Sequence, residues 1–578
     1  MLAILLPVTA LVLCPVLFAH FIRLDDYSHL FDNPHLRRMS VAGLAAFWAK
    51  PYFNLYIPIT YSVWWALTMV GSLWGTLGQS AWLFHGFNLA VHLVNASLVF
   101  LVLRRLLDAG LSNTDELRDA SAGTIAVISA LVFAIHPLQV ETVAWVSELK
   151  GELAALFGLL GLWFHYRSTA RIVTATCFVA AMLSKPSAIV FPGIVLLIDR
   201  IVLGISFRKC AVMPALYGLL LLPFVLVTKY LQPDTTLDFI PTAAQRLGVA
   251  ANAFAFYVYK VLVPYPLAVD YGLSPQYMLS HIPAWQTALS ALLLMAAAAV
   301  AIDSLVRPSP SLARCLVSCG CGIFVLSIAP VLGFIPFGFQ SFSTVADHYL
   351  YVPLLGVAVA VAGILLYGRV FAGTHPIAAI VLVVLAGLSF QQARLWYSTE
   401  SLFEHTLKVN PRSYLAYYCI GEEHMRAGQL DQSIEALGRS LALNPDYLSA
   451  DIALGLAWVR KGDRAKAMEH YQSVLARNPS TVGSRARDVA SIHNNLGMLF
   501  LQIGFEPGAV EHFRKAVQIF PRSLNAHLNL GNLALRHGRY AEAIAEYEIA
   551  ASLSPGSRGI EQRLARARQG AHAQGPSH

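Results

Sequence analysis

Two adjacent carboxylates follow the first apolar stretch, in Leu24-Asp25-Asp26-Tyr27. At a membrane surface such a pair costs solvation, and the two charges repel. Beside a hydroxyl, one of them can act as a general base. The plain alternative is a solvated loop or a helix cap, a place that Asp suits. A second group is His136-Pro137-Leu138-Gln139-Val140-Glu141, followed by Trp145, Glu148 and Lys150. His136 and Glu141 are candidate site residues there, although His136 also fits a cap where Pro137 stops a span. Third is Ser184-Lys185-Pro186. Its lysine can snorkel to an interface or hold a lipid phosphate as a point charge. Fourth is Asp347-His348-Tyr349-Leu350-Tyr351, an acid, an imidazole and two phenols. A polar stripe, His85, Asn88, His92 and Asn95, shares one helix face. Hydrogen bonds between helices explain that stripe more simply than a site does. There is no Gly-rich phosphate loop and no cluster with metal-ligand spacing. No cofactor is assigned, and a divalent-metal requirement stays open.

A membrane domain must hold these groups. The 578 residues are 56% hydrophobic and 13% charged, with a mean hydropathy of +0.57, whereas soluble proteins carry about 25% charged residues. From Arg394 onward 38 of 185 residues are charged, against 36 of the first 393. The first two-thirds therefore reads as membrane and the last third as soluble. A wholly soluble enzyme, a disordered chain and a disulfide scaffold are excluded. The net charge of +8 follows from the positive-inside rule without a nucleic-acid partner. The seven cysteines form neither a disulfide nor a zinc pattern and read as small core residues.

A span needs about 20 apolar residues. The candidates are 2–22, 82–106, 123–136, 150–166, 172–184, 187–199, 212–229, 285–303, 313–333, 350–367 and 376–392. The first lacks a basic flank and a cleavage site, so it reads as a retained span. Connections holding Arg104, Arg105 and Arg118, Arg167 and Arg171, Arg200, Arg208 and Lys209, and Arg307 and Arg314 are basic. They share the cytoplasmic side only if 172–184 and 187–199 form a hairpin through Lys185 and Pro186. That predicts about eleven spans. The N-terminus is then cytoplasmic, and 23–81, 137–149, 184–186, 230–284 and 334–349 are outside, as is everything after Leu395. The outer segments are rich in aromatics, Trp48, Tyr52, Phe53, Tyr56, Tyr61, Trp64 and Trp65 among them. Residues 243–263 read as an amphipathic helix suited to an interface.

Prolines 411, 445, 479, 521 and 555 recur with spacings of 34, 34, 42 and 34 residues. A 34-residue helix–turn–helix unit is the tetratricopeptide period. Gly421, Gly455, Gly497 and Gly531 keep phase as close-packing positions, Gly428, Gly462, Gly504 and Gly538 as turns, and Leu437, Tyr471, Phe513 and Tyr547 as the large residue of each second helix. The fold class is therefore all-α: a polytopic membrane helical domain, 1–395, followed by a tetratricopeptide-repeat solenoid, 396–556. The solenoid divides into a half repeat 398–411 and repeats 414–445, 448–479, 490–521 and 524–555. An insertion falls around Thr481–Asp488, and a capping helix and tail occupy 557–578. Stacked repeats make a groove of the kind that holds an extended peptide.

The stretches LDDYSHLFDNPHL, FHGFNLAVHLVNASLVFLVLRRLL, FAIHPLQVETVAWVSELKGELAALF, LSKPSAIVFP and ADHYLYVPLLG resemble the transmembrane and tetratricopeptide-repeat O-mannosyltransferases and their bacterial relatives. An acidic pair opening the first outer loop of a multi-span domain resembles the GT-C glycosyltransferases more broadly. The resemblance covers nearly the whole chain. It implies a GT-C-like membrane domain, a polyprenyl-phosphate-sugar donor, typically carrying mannose, and a Ser or Thr hydroxyl of a protein as acceptor. It carries the acidic pair over to Asp25 and Asp26 as the catalytic residues. His348 stands where the family's motif has Arg, so the permanent charge there is weaker.

The chemistry required is attack of a hydroxyl on an anomeric carbon, with inversion. A carboxylate takes the proton, Asp25 being favoured, and the departing lipid phosphate needs positive charge or donors at low dielectric. Lys185 and His348 are the candidates for that phosphate, while Asp347, Tyr349 and Tyr351 complete the candidate set. The partners implied are the lipid-linked donor, a protein or peptide acceptor on the repeats, and membrane lipid. The setting is a bacterial inner membrane or an ER membrane, with the active site and repeats extracytoplasmic. The rivals are a lipid-linked glycan ligase or polymerase, a flippase, which would need polar residues through the whole bilayer depth, and a non-enzymatic repeat scaffold, for which one span would serve.

Overall fold

The computed structural model describes residues 1–37, 40–53, 55–75, 77–110, 116–167, 170–231, 239–309, 311–368, 374–477, 485–554 and 556–574. The chain divides into two compact units, Met1–Pro411 and Arg412–His578. Its secondary structure among the described residues is helical, with one isolated bridge between Tyr52 and Leu55.

Each segment expected to span contains helix in the first unit. Among the described residues five helices are long and apolar enough to cross a membrane: Ala81–Ala109, Phe207–Leu231, Ala284–Val306, Leu312–Val331 and Pro376–Leu395. A sixth is reached if Ala122–Ala134 and Pro137–Ala144, bent by 51°, count as one. Length and composition thus fall short of the expected eleven. The reason is physical. Leu2–Phe18, Arg171–Ser184 and Pro353–Tyr367 are short. The 14 residues of Arg171–Ser184 extend about 21 Å, less than a hydrocarbon core of about 30 Å. Residues 186–202 are broken into three helical pieces, Pro186–Val190, Phe191–Leu197 and Ile198–Val202.

The hairpin at Lys185 is present. Lys185 is extended, and Pro186 starts the return. Phe178 and Phe191 stack at 6.0 Å across it. At the far end Asp199 comes back to 3.5 Å from His165. Arg200 caps the same end by donating to the carbonyls of Leu305 and Val306.

The helices Leu312–Ile328 and Pro353–Gly368 pack backbone to backbone. A Cβ at Gly320 would sit 2.4 Å from the Gly356 carbonyl oxygen, and one at Gly356 would sit 2.5 Å from that of Gly320. The segment after the first span is folded into short helices, Pro34–Arg37, Val41–Ala49 and Pro58–Gly71. They close over an aromatic core in which Phe47 and Tyr61 stack at 4.7 Å and Trp64 is buried. The expected amphipathic helix is Ala243–Leu262, opened by a capping box of Thr242 and Gln245. It buries Ala250, Phe254 and Tyr257 and exposes Leu247, Tyr259 and Leu262.

Among the described residues the second unit is four helix pairs and a terminal helix. The pairs are Tyr414–Arg426 with Leu430–Leu443, Leu448–Lys461 with Arg464–Arg477, Arg485–Gln502 with Glu506–Ile519, and Leu524–Arg536 with Tyr540–Leu553. Arg558–Gln574 closes them. The four close-packing glycines face the four expected large residues, with an added Cβ only 2.7, 2.3, 2.6 and 2.7 Å from Leu437, Tyr471, Phe513 and Tyr547. Gly428, Gly462, Gly504 and Gly538 turn with positive φ, where glycine carries no Cβ penalty. Pro479, Pro555 and the first half of the expected insertion lie outside the described residues. The half-repeat helix, Thr399–Val409, falls in the first unit.

Candidate active site

Segments expected as separate outer loops meet in one cluster at the end of the first unit. Asp26 is fully buried. Its Oδ2 accepts from the Ile22 backbone N–H at 3.0 Å, and its Oδ1 accepts from the Ser147 N–H at 2.9 Å and from the Ser147 hydroxyl at 2.6 Å. Burial pushes its pKa up to about 6 against those bonds. Asp26 therefore bolts the first outer segment to the segment before Leu149. Asp25 differs. It is half-buried and makes no hydrogen bond among the described residues. Burial raises its pKa, Lys150 lowers it and Glu148 raises it. A raised, uncommitted carboxylate is the better base of the two.

Glu148 lies at the centre. Its Oε2 accepts from Lys185 Nζ at 2.7 Å, and its Oε1 lies 3.1 Å from Lys150 Nζ and 4.0 Å from His348 Nε2. Burial opposes its ionisation, but Lys150 and Lys185 outweigh burial and hold Glu148 well below the usual carboxylate range. His348 Nδ1 lies 2.5 Å from Glu141 Oε1, a contact that needs one proton between the two. Burial holds the imidazole down at about 3. Although the pair has ion-pair geometry, His348 is thus a neutral hydrogen-bonding group, and Lys185, paired with Glu148, is the cationic one of the two phosphate candidates even though burial lowers its pKa. Asp347 accepts from the Tyr271 hydroxyl at 2.9 and 3.1 Å, and burial raises its pKa.

Lys185 lines a small cleft. Its walls are largely apolar, with Ala154, Val190, Phe191, Val331 and Val352 among them. His348, Tyr349 and Tyr351 line the polar end. Lys185 Nζ lies 5.9 Å from the centre of the Tyr349 ring, within cation–π range.

His136 stands apart. Its Nδ1 caps Leu138 and its Nε2 donates to the Val261 carbonyl, so both ring nitrogens serve backbone. Tyr351 is also tied down: its hydroxyl meets His92 Nδ1 at 2.9 Å and accepts from Asn95 at 3.0 Å. The polar stripe acts here between helices, as its simpler reading held. Asn88 donates to the carbonyls of Val143 and Trp145, and Asn95 to that of Glu152. It thereby positions two site segments from one helix. Ser147 and Tyr271 were not legible as site residues, because each reports only through a partner, 121 and 76 residues away. Among the described residues no group of three or more His, Cys, Asp or Glu is placed to hold a metal ion.

The tetratricopeptide-repeat family is matched by residues 418–481 and 494–558. BBSome complex member BBS4 of Bos taurus is 26% identical over 26% of this chain and 27% of its own length. Protein O-mannosyl-transferase Tmtc3 of Drosophila melanogaster is 23% identical over 89% of this chain and 64% of its own. Protein O-mannosyl-transferase TMTC4 of Mus musculus is 24% identical over 61% of this chain and 54% of its own. The chain thus spans less than two thirds of the length of each relative. Similarity to the transmembrane and tetratricopeptide-repeat O-mannosyltransferases extends through both units.

Proposed function

We propose that this chain is a GT-C-like membrane glycosyltransferase. It moves a sugar, mannose in the named activity of its relatives, from a polyprenyl phosphate to a Ser or Thr hydroxyl of a protein. The observation that carries this is a half-buried, uncommitted Asp25 joined through Lys150 and Glu148 to Lys185, which lines an apolar cleft. The cleft suits a lipid tail, and the lysine suits its phosphate. Asp25 takes the hydroxyl proton as the new C–O bond forms at the anomeric carbon. The bond from that carbon to the phosphate oxygen breaks, and the phosphate leaves with the electron pair beside Lys185. Attack opposite the leaving group inverts the anomeric centre.

The repeats serve as the acceptor-binding part, on the extracytoplasmic side with Asp25. The basic connections expected on the cytoplasmic face support that side. So does the exit of the first unit: the Arg23 N–H donates to Thr399 Oγ1 at 3.0 Å, two residues from Asp25. Full-length protein in nanodiscs, a panel of polyprenyl-phosphate sugars and mass spectrometry of protein acceptors test the reading. One donor should glycosylate Ser or Thr, and Lys185→Ala should lose that donor's binding. Transfer only to a lipid-linked glycan, or wild-type donor binding by Lys185→Ala, would overturn it.

A further inference from the structure

Glu148 has two carboxylate oxygens and a separate lysine on each: Lys185 Nζ at 2.7 Å from Oε2 and Lys150 Nζ at 3.1 Å from Oε1. The carboxylate is almost fully buried, so its geometry is not diluted by water. The two lysines face different parts of the site. Lys185 lines the apolar cleft. Lys150 interacts with Asp25 and lies 5.7 Å from the centre of the Trp145 ring. Gly151 leaves room for the arrangement, since a Cβ there would come 3.1 Å from Glu148 Oε2 and 3.4 Å from Lys185 Nζ. The backbone that carries Glu148 is fixed independently, by Ser147 on Asp26 and by Asn88 on Val143 and Trp145.

We propose that Glu148 is a positioning residue that couples the two halves of the site, competing with the donor phosphate for Lys185 while keeping Lys150 from closing a full ion pair on Asp25. This rests on the transferase reading above. With Glu148 charged, Lys150 is shared between two carboxylates. Without that charge, Asp25 is the nearer counter-ion left to Lys150, and Asp25 becomes a weaker base. Lys185 meanwhile loses the anion that competes with a phosphate. The other titratable groups that interact with this carboxylate are His29, Glu141, Glu152, His348 and Tyr349. None of these replaces Glu148 between the lysines.

The test uses full-length protein in nanodiscs and two readouts independent of turnover. One is binding of a polyprenyl monophosphate by native mass spectrometry. The other is the pH dependence of carbodiimide labelling at Asp25, read by peptide mass spectrometry, since carbodiimide takes the protonated carboxyl. In Glu148→Gln, binding should hold or tighten, and the Asp25 labelling midpoint should move to lower pH. Glu148→Asp, which keeps the charge, should bring the midpoint back toward wild type. An unmoved midpoint in Glu148→Gln, or binding lost by about tenfold or more, makes Glu148 a mere structural residue and overturns the proposal. If wild type binds the phosphate no better than Lys185→Ala, the donor site fails instead, and the labelling shift still decides the role of Glu148.

Discussion

Replacing Asp26 by Asn separates the carboxylate tied to Ile22 and Ser147 from the uncommitted one at Asp25. Its pKa stands at about 6 in the folded chain against an ordinary 3.8. The folded state therefore binds this proton more tightly than the unfolded chain does. The stability that this contributes is fully present below pH 3.8 and is lost as pH rises to about 6. The gap of about two pH units is worth about 3 kcal/mol. Asn resembles the protonated acid, whose NH₂ or OH must face one of the three donors now satisfied by the carboxylate. Asp26→Asn should thus be at least as stable as wild type at pH 7.5, by up to about 3 kcal/mol. That advantage should vanish toward pH 4. The assay is the thermal midpoint of the solubilised protein across pH, wild type against variant, at one scan rate because such midpoints are kinetic. Asp25→Asn in the same series should lower turnover by about 10²–10⁴-fold with donor binding intact, and Asp26→Asn should lower it less. A variant at Asp26 that is clearly less stable than wild type at pH 7.5 would refute the reasoning, because the three bonds would then outweigh burial.

Further outcomes follow from packing and topology. Gly320→Ala places a Cβ 2.4 Å from the Gly356 carbonyl oxygen. It should destabilise the first unit by about 1–3 kcal/mol and weaken polyprenyl-phosphate binding, since Ser327 and Val352 on this helix pair and its flank line the cleft. Gly455→Ala meets the Tyr471 ring at 2.3 Å. It should cost the second unit about 1–3 kcal/mol, seen by limited proteolysis after Arg412, and leave that binding unchanged. Protease added to right-side-out vesicles or spheroplasts should remove the repeats, or spare them in sealed microsomes. The reverse pattern would overturn the topology and the acceptor role together.

The repeats were legible because their energetics are local. Gly455 and Tyr471 lie 16 positions apart within one helix pair, and the same spacing recurs at Gly497 with Phe513 and at Gly531 with Tyr547. The Lys185 hairpin was legible because a charge rule constrains it. The span count was less so, since hydropathy assumes each helix meets lipid along its length. Arg171–Ser184 and the broken run 186–202 are instead partly lined by protein, with Phe178 and Phe191 pressed against Gly161 and Gly158. Site residues announced themselves one motif at a time. Their links did not: Glu141 and His348 meet across 207 positions, and Glu148 and Lys185 across 37.

The polar stripe shows why a structural role and a functional one need not compete. Asn88, His92 and Asn95 lie on one face of Ala81–Gly110. Each bond they make is an ordinary buried one, which leaves no donor wasted. Yet, besides the Ala134 carbonyl that accepts from His92, their partners are the carbonyls of Val143 and Trp145, the carbonyl of Glu152 and the hydroxyl of Tyr351. Those groups flank Glu148 on one side and His348 on the other. A rigid helix thus sets the spacing between the segment holding the central carboxylate and the segment holding the imidazole. Loops at a membrane surface could not hold 2.5–2.7 Å contacts between buried polar and charged groups without such support, because each misplaced group would revert to costly desolvation.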